Sequence, residues 1–317
     1  MIRHRWPGIA LLVLLGTPLW EGCGDRTPAP PPNVSFDGAR ALEYIRLQVD
    51  AGARVPGTQP HRLVGDRIVA ELRKNADTVI EQKWTHVTAK GDSLPLRNIY
   101  ARFNLAATKR ILYVTHWDSR PHADKSFATE DKLKPVPGAN DGASGTAMLI
   151  VLAEILKKNP TTVGVDLLFT DGEDYGDFGP PEVDVLLGAK YFADHLLPDS
   201  TYRPLYGVLW DMIGDKDLQV MQEAISVENA PAVVDRVWKM AAALGYASYF
   251  LPDRTTVTDD HVPLINKGLK VIDVIDLDYG PGNSYHHTTQ DTIDKVSAQS
   301  LEIMGRLALA LIRQQEK

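Results

Sequence analysis

The chain is poor in cysteine: Cys23 is the only one in 317 residues. An intrachain disulfide framework is therefore excluded, and so is a zinc site built from several thiolates. Long apolar runs are scarce as well. Gly8 to Leu19 is an uncharged, mostly apolar stretch of 12 residues, too short to span a bilayer, which takes about 20. Positive charge is in deficit, with 34 Lys and Arg against 41 Asp and Glu for a formal net charge of −7. No basic cluster stands out, so the electrostatic footprint of a nucleic-acid binder is missing. Several catalytic signatures are absent too. There is no His-Glu-x-x-His helix, no Gly-x-Ser-x-Gly elbow, no Gly-x-x-x-x-Gly-Lys phosphate loop and no Gly-x-Gly-x-x-Gly fingerprint.

What is present begins with an export signal. Arg3 and Arg5 precede the apolar run, and Cys23 follows Gly22, where a bacterial lipoprotein carries the cysteine that is acylated and becomes its first residue. The expectation is a signal peptide over residues 1–22, with the protein periplasmic or on the outer-membrane or cell surface and anchored through Cys23. Four prolines between Thr27 and Asn33 make residues 23–34 a stiff tether. Residues 35–317 then read as one catalytic domain.

Within that domain, Ser35 is placed to cap a helix with an apolar stripe at Ala41, Leu42, Ile45 and Val49, and Arg62 to Lys74 reads as a second amphipathic helix. Val79 to Thr88 and Asn98 to Phe103 have strand character. Ile111 to Thr115, Val165 to Phe169, Tyr206 to Trp210 and Val271 to Ile275 are short, nearly continuous apolar runs, the pattern of strands covered on both faces. Asp166 and Asp273 interrupt two of them. Helical patterns fall at Ala143 to Lys158, Val185 to His195, Ala230 to Leu244 and Ser297 to Arg313. This alternation predicts an α/β fold, a mixed and mostly parallel central sheet flanked by helices on both faces.

Each buried run ends in ionisable residues: His116-Trp117-Asp118, then Asp171-Gly172-Glu173-Asp174, then Asp211, then Asp276 and Asp278 with His286-His287 beyond. Asp141 lies in the glycine-rich loop Pro137 to Gly142, which leads into a helix. Ligands of open α/β sheets bind outside the carboxyl ends of the strands. Imidazole and carboxylate converging there suit a hard or borderline metal ion, whose charge offsets their mutual repulsion. Each residue alone has a plainer reading: His116 as a hydrogen-bonded core histidine, Asp141 as a helix cap, Glu173-Asp174 as a solvated turn, Asp211 as a loop cap. Their joint placement is what favours a metal site.

The segments THWDSRPHAD (115–124), VPGANDGASG (136–145), LLFTDGEDYG (167–176), YGVLWDMIGDKD (206–217), TDDHVPLINKG (258–268) and YHHTTQDTID (285–294) resemble the zinc-dependent aminopeptidase-like family. Within it they are most similar to the bacterial and animal-type glutaminyl cyclases, the glutaminyl-peptide cyclotransferases. The resemblance implies a three-layer fold and one zinc ion held by Asp141, Asp174 and His287. It makes Glu173 the general acid/base, with Asp211 and Asp259 in a hydrogen-bonded acid network with it. In the two-zinc aminopeptidases, the alternative within the family, the positions of His116 and Asp211 hold the second ion and that of Asp141 bridges. A cyclase would take peptide or protein N-termini as substrate, use Zn2+, touch the membrane only through the lipid anchor and need no nucleic acid; a monomer is the expectation. A non-catalytic cell-surface binding protein is the third reading. Two positions depart from the cyclases: His286 stands where they often have tryptophan, and Val185-Leu186 stand where some bacterial ones have another. Trp117 and Trp210 are candidates either for a compensating pocket wall or for core packing.

Overall fold

The computed structural model of the chain describes residues 1, 2 and 35–316. The signal segment from residue 3 onward, Cys23 and the proline tether lie outside the described residues. The elements run α1 (Gly38–Val49), α2 (Gln59–Asn75), β1 (Thr78–Val87), β2 (Ser93–Phe103), β3 (Arg110–His116), α3 (Ala143–Lys158), β4 (Gly164–Thr170) and α4 (Leu187–Asp194). They continue with β5 (Tyr206–Asp211), β6 (Val220–Glu223), α5 (Ala224–Asn229), α6 (Pro231–Ala243), β7 (Phe250–Thr255), α7 (His261–Asn266), β8 (Val271–Ile275) and α8 (Ala298–Gln314). Among the described residues, no helix is long and apolar enough to cross a membrane.

The main sheet has six strands in the order β1-β2-β4-β3-β5-β8. Pairing is parallel from β4 through β3 and β5 to β8, and the β1–β2 hairpin joins one edge antiparallel. The sheet is thus mixed and mostly parallel, as its buried apolar runs require. Side chains alternate between two cores. Ile111 and Tyr113 of β3 join Phe169, Val208 and Val274 under α1, α3 and α8, while Leu112 and Val114 pack with Leu168 and Leu209 under α4 and α7. Helices therefore cover both faces.

Three departures from the sequence pattern have local causes. Asp37, not Ser35, caps α1, its carboxylate accepting from Arg40 N at 2.9 Å. The helix begins at Gly38, where a Cβ would meet the carbonyl of Ala298 in α8. α4 starts only at Leu187, and the N–H groups of Leu186 and Leu187 donate to the carbonyls of Glu173 (2.8 Å) and Gly172 (3.1 Å), which ties this turn to the Glu173 loop. Leu186 itself is left-handed with φ 55°. Finally β6 and β7, which pair parallel in a sheet of their own, are short and half exposed and carry no clean apolar pattern.

Candidate metal centre

The parallel strands end on one edge of the sheet, and the residues singled out in the sequence gather there. His116 closes β3 and Asp211 closes β5, while Glu173 and Asp174 follow β4. Asp141 precedes α3, Asp259 lies just before α7, and His287 sits in the connection from β8 to α8. His116 Nε2 lies 3.0 Å from Asp141 Oδ1 and 3.2 Å from Asp211 Oδ1. His287 Nε2 lies 3.3 Å from Asp174 Oδ1 and 3.6 Å from Asp141 Oδ2. Asp141 therefore stands between the two histidines. Among the described residues, two sets of side chains have ligand atoms within 4.8 Å of one another: His116, Asp141 and Asp211, and Asp141, His286 and His287.

Close backbone approach makes this clustering possible. A Cβ on Gly142 would stand 2.7 Å from the His116 ring, and one on Gly145 would come within 2.3 Å of the Trp210 carbonyl. Only glycine lets the start of α3 rest on the ends of β3 and β5. Arg54, fully buried, donates to the carbonyls of Trp117 (3.0 Å), Pro137 (3.0 Å) and Gly138 (2.6 Å). From the other side Asp291 accepts from the N–H groups of Asn140 (2.8 Å) and Asp141 (3.2 Å) and from the Tyr279 hydroxyl. A guanidinium on the carbonyls and a carboxyl on the amides thus fix the Asp141 loop. Asp118 does the same for its neighbour, accepting from Glu173 N (3.1 Å) and Asp174 N (3.3 Å). His287 (φ 56°) and Met212 (φ 45°), which follows Asp211, are left-handed; for residues other than glycine this costs about 1 kcal/mol or more and is held by the surrounding network.

The donor set fits a cation. Asp141 Oδ2 and Asp174 Oδ2 are buried without any hydrogen-bond donor, and an unanswered buried carboxylate oxygen is costly. Arg120 reaches only Asp174 Oδ1, at 2.8 Å. Burial and the neighbouring His286 push the His287 pKa well below its ordinary value, so its imidazole is neutral and able to ligate. Burial works against ionisation of Asp141, yet the hydrogen bond and charge of His116 hold its carboxyl below the usual range. His116 behaves in the opposite way to His287. Burial opposes its charge, but Asp211, Asp118 and Asp141 outweigh that and raise its pKa well above the ordinary value.

Glu173 lines a cavity of about 380 Å³ together with Asp141, Asp211, Asp259 and His287. Burial lifts its carboxyl well above the usual range, and Asp259 and Asp174 add to this against the pull of His116. Burial likewise raises Asp211 and Asp259, the latter further through Asp211 and Asp260. The three acids influence one another through their fields. Among the described residues no direct hydrogen bond joins Glu173, Asp211 and Asp259.

A profile of peptidase family M28 matches residues 98–312. The chain belongs to peptidase family M28. Its structure is similar to that of Porphyromonas gingivalis glutaminyl cyclase, with 34% identity, a TM-score of 0.84, and coverage of 89% of this chain and 100% of that one. It is similar also to a Zn-dependent exopeptidase from Parabacteroides distasonis, with 32% identity, a TM-score of 0.83, and coverage of 88% and 98%. Aminopeptidase YwaD of Bacillus subtilis is 26% identical over 88% of this chain, and the match spans 58% of that protein's length. Proteins named for either activity thus resemble this chain.

Trp117 and Trp210 both turn out to be core. Each is fully buried, Trp117 stacked on His61 at 4.2 Å and Trp210 edge-on to Tyr113. The aromatic ring of the cavity wall is instead Phe178, with its centroid 6.4 Å from that of His287. The sequence reading missed Arg54, Asp118, Arg120 and Asp291 as organisers of the site, and it left His286 and Lys125 without a role. Arg120 and Asp118 were in view within the segment 115–124. Asp291 was in view within the segment 285–294, but no local pattern marks that it and Arg54 act on backbone from far along the chain.

Proposed function

We propose that the chain is a zinc-dependent glutaminyl-peptide cyclotransferase, which converts the N-terminal glutamine of a peptide to pyroglutamate and releases ammonia. The observation that carries this reading is Glu173, a buried carboxyl on the cavity wall next to Asp174, raised by burial toward the range where it can both take and return a proton. The likeness to a glutaminyl cyclase over nearly its whole length supports it.

Asp141, Asp174 and His287 would hold the zinc, which when bound supplies Lewis acidity toward the glutamine γ-carboxamide oxygen. Glu173 accepts a proton from the substrate's α-amine as that nitrogen bonds to the γ-carbonyl carbon. It then gives the proton to the amide nitrogen, whose bond to carbon breaks as ammonia leaves. Since the nucleophile is part of the substrate, the residues around it need only fold the glutamine back on itself and exclude water. Asp211 and Asp259, both raised by burial, keep a proton near the Glu173 carboxyl and limit the negative charge facing the amine.

The tight grouping of His116, Asp141 and Asp211 favours a second reading, a two-zinc aminopeptidase, because a bridging Asp141 would link two metal sites. A Gln-initiated and a Leu-initiated peptide, incubated with the zinc-loaded protein and read by mass spectrometry, separate the two. Ammonia loss from the first supports the cyclase. Release of the terminal residue from the second supports the peptidase, and no change in either supports a binding protein without catalysis.

A further inference from the structure

Lys125 lines the same cavity, and the chemistry above leaves its charge unused. The other cation of the wall, Arg120, is spent on Asp124 (2.7 and 3.0 Å) and Asp174 (2.8 Å). Among the described residues no carboxylate comes within 4.0 Å of the Lys125 ammonium; its partner is His286 Nδ1 at 3.3 Å. The backbone N–H of Lys125 donates to the carbonyl of His287, also at 3.3 Å. The lysine is therefore fixed against the candidate metal loop at both its main chain and its ammonium.

Hydrogen-bond accounting shows what remains free. An ammonium has three protons and no lone pair, so His286 Nδ1 must be the acceptor, and Asn283 Nδ2 is placed to donate to it as well at 3.1 Å. One Lys125 proton is used there and two are left. Depth separates the charges of the cavity. Asp141, Glu173, Asp211 and Asp259 are buried, at 3 to 7% exposure, whereas Lys125 is exposed. The cavity thus has an acidic floor, suited to an amine, and an unpaired cation at its rim. Asp177 stands on another part of the rim and opposes an incoming anion there.

We propose that Lys125 is a specificity residue that selects peptides bearing a carboxylate one residue beyond the N-terminal one: an Asp or Glu side chain at the second position or, in a dipeptide, the chain's own C-terminus. The identity of the first residue rests on the cyclase reading; the preference at the second does not. With the amine on the acidic floor, the next residue is one peptide unit further out, about 3.5 Å per residue, on the path to the rim.

The test uses C-terminally amidated peptides beginning Gln-Glu, Gln-Gln and Gln-Lys, together with Gln-Ala as free acid and as amide. The zinc-loaded protein is expected to favour Glu over Gln at the second position by about two- to fivefold, the range of a partly exposed charge pair. The preference should lie in KM rather than kcat and shrink in high salt. Lys125→Met abolishes it, Lys125→Arg restores it, and Asp177→Asn increases it. A preference for the Gln-Ala acid over its amide shows that the terminal carboxylate is also read. Equilibrium binding of the same amidated peptides, fluorescently labelled at a C-terminal lysine, to the zinc-loaded Glu173→Gln variant gives the ratio without turnover, so a failure of the unsubstituted protein to release ammonia tells against the cyclase reading alone. A Glu-to-Gln ratio near one, no binding of either peptide, or a ratio that Lys125→Met leaves intact overturns the proposal.

Discussion

Asp166 and Asp273 both interrupt apolar strands, both are buried at 0 and 1% exposure, and they meet opposite environments. Asp166, in β4, accepts from Arg110 Nε and Nη2, each at 2.7 Å, from Arg102 Nε at 3.0 Å and from the Tyr202 hydroxyl at 2.9 Å. Asp273, in β8, has no donor on either carboxylate oxygen among the described residues, where the nearest basic atom, His261 Nδ1, is 4.0 Å away. The contrast extends to their surroundings. Beside Asp273 lie Asp259 and Asp260, whose charges act on it, and beyond them Asp141 and Asp174 also hold unanswered oxygens. One group of acids is neutralised by the protein itself and serves the fold. The other is left uncompensated where the strands deliver the site, and a bound cation and a shared proton are what can balance it.

If that division is right, substitutions in the two regions separate activity from stability. The largest effect is expected from Glu173→Gln, which keeps the shape of the side chain and removes its proton transfer. Turnover should fall about 10²- to 10⁴-fold with zinc content and melting temperature unchanged, and a variant that retains wild-type kcat removes Glu173 from the chemistry. Arg110→Met should do the reverse. Breaking a buried pair from one side costs about 3–5 kcal/mol, read as a lower urea midpoint, while kcat/KM of the folded fraction stays at the wild-type level. A loss of activity without loss of stability in this variant would merge the two regions.

The smallest effect sharpens the comparison most. Burial, with the charges of Asp259 and Asp211, raises the Asp273 pKa well above 3.8. For an acid raised in the folded state, the native protein binds more protons than the unfolded chain, so stability is lost as pH rises above the unfolded value. Asp273→Asn removes this proton linkage. The variant should gain stability relative to the wild type steadily as pH climbs from about 4, whereas Asp166→Asn, which disturbs four hydrogen bonds, should be destabilised throughout. Chemical denaturation of the metal-free proteins across that pH range reads both. A flat difference for Asp273→Asn would mean that its carboxyl is answered by ordered water.

The same contrast explains what the sequence made legible. Apolar runs covered on both faces identified β3, β4, β5 and β8 closely, because a strand buried on both faces leaves little room for polar residues. The ionisable residues after them located the site. Asp166 and Asp273 looked alike in the sequence, since nothing local says that Arg110 and Arg102 converge on one of them. Arg54, whose contacts are backbone carbonyls more than 60 residues away, was equally hidden. The early start expected for α4 failed because Leu186 is left-handed where the chain turns against the Glu173 loop, a tertiary demand that overrides helix pattern.

The central claim is that the unanswered acids at the strand ends are a metal centre. Counting zinc per chain, by native mass spectrometry of the protein loaded and then dialysed, tests it directly. One zinc ion is expected, lost in Asp141→Asn and in Asp174→Asn but retained in Asp211→Asn. No zinc would contradict the metal centre itself, and two ions, with one lost in Asp211→Asn, would contradict the cyclase reading in favour of the peptidase.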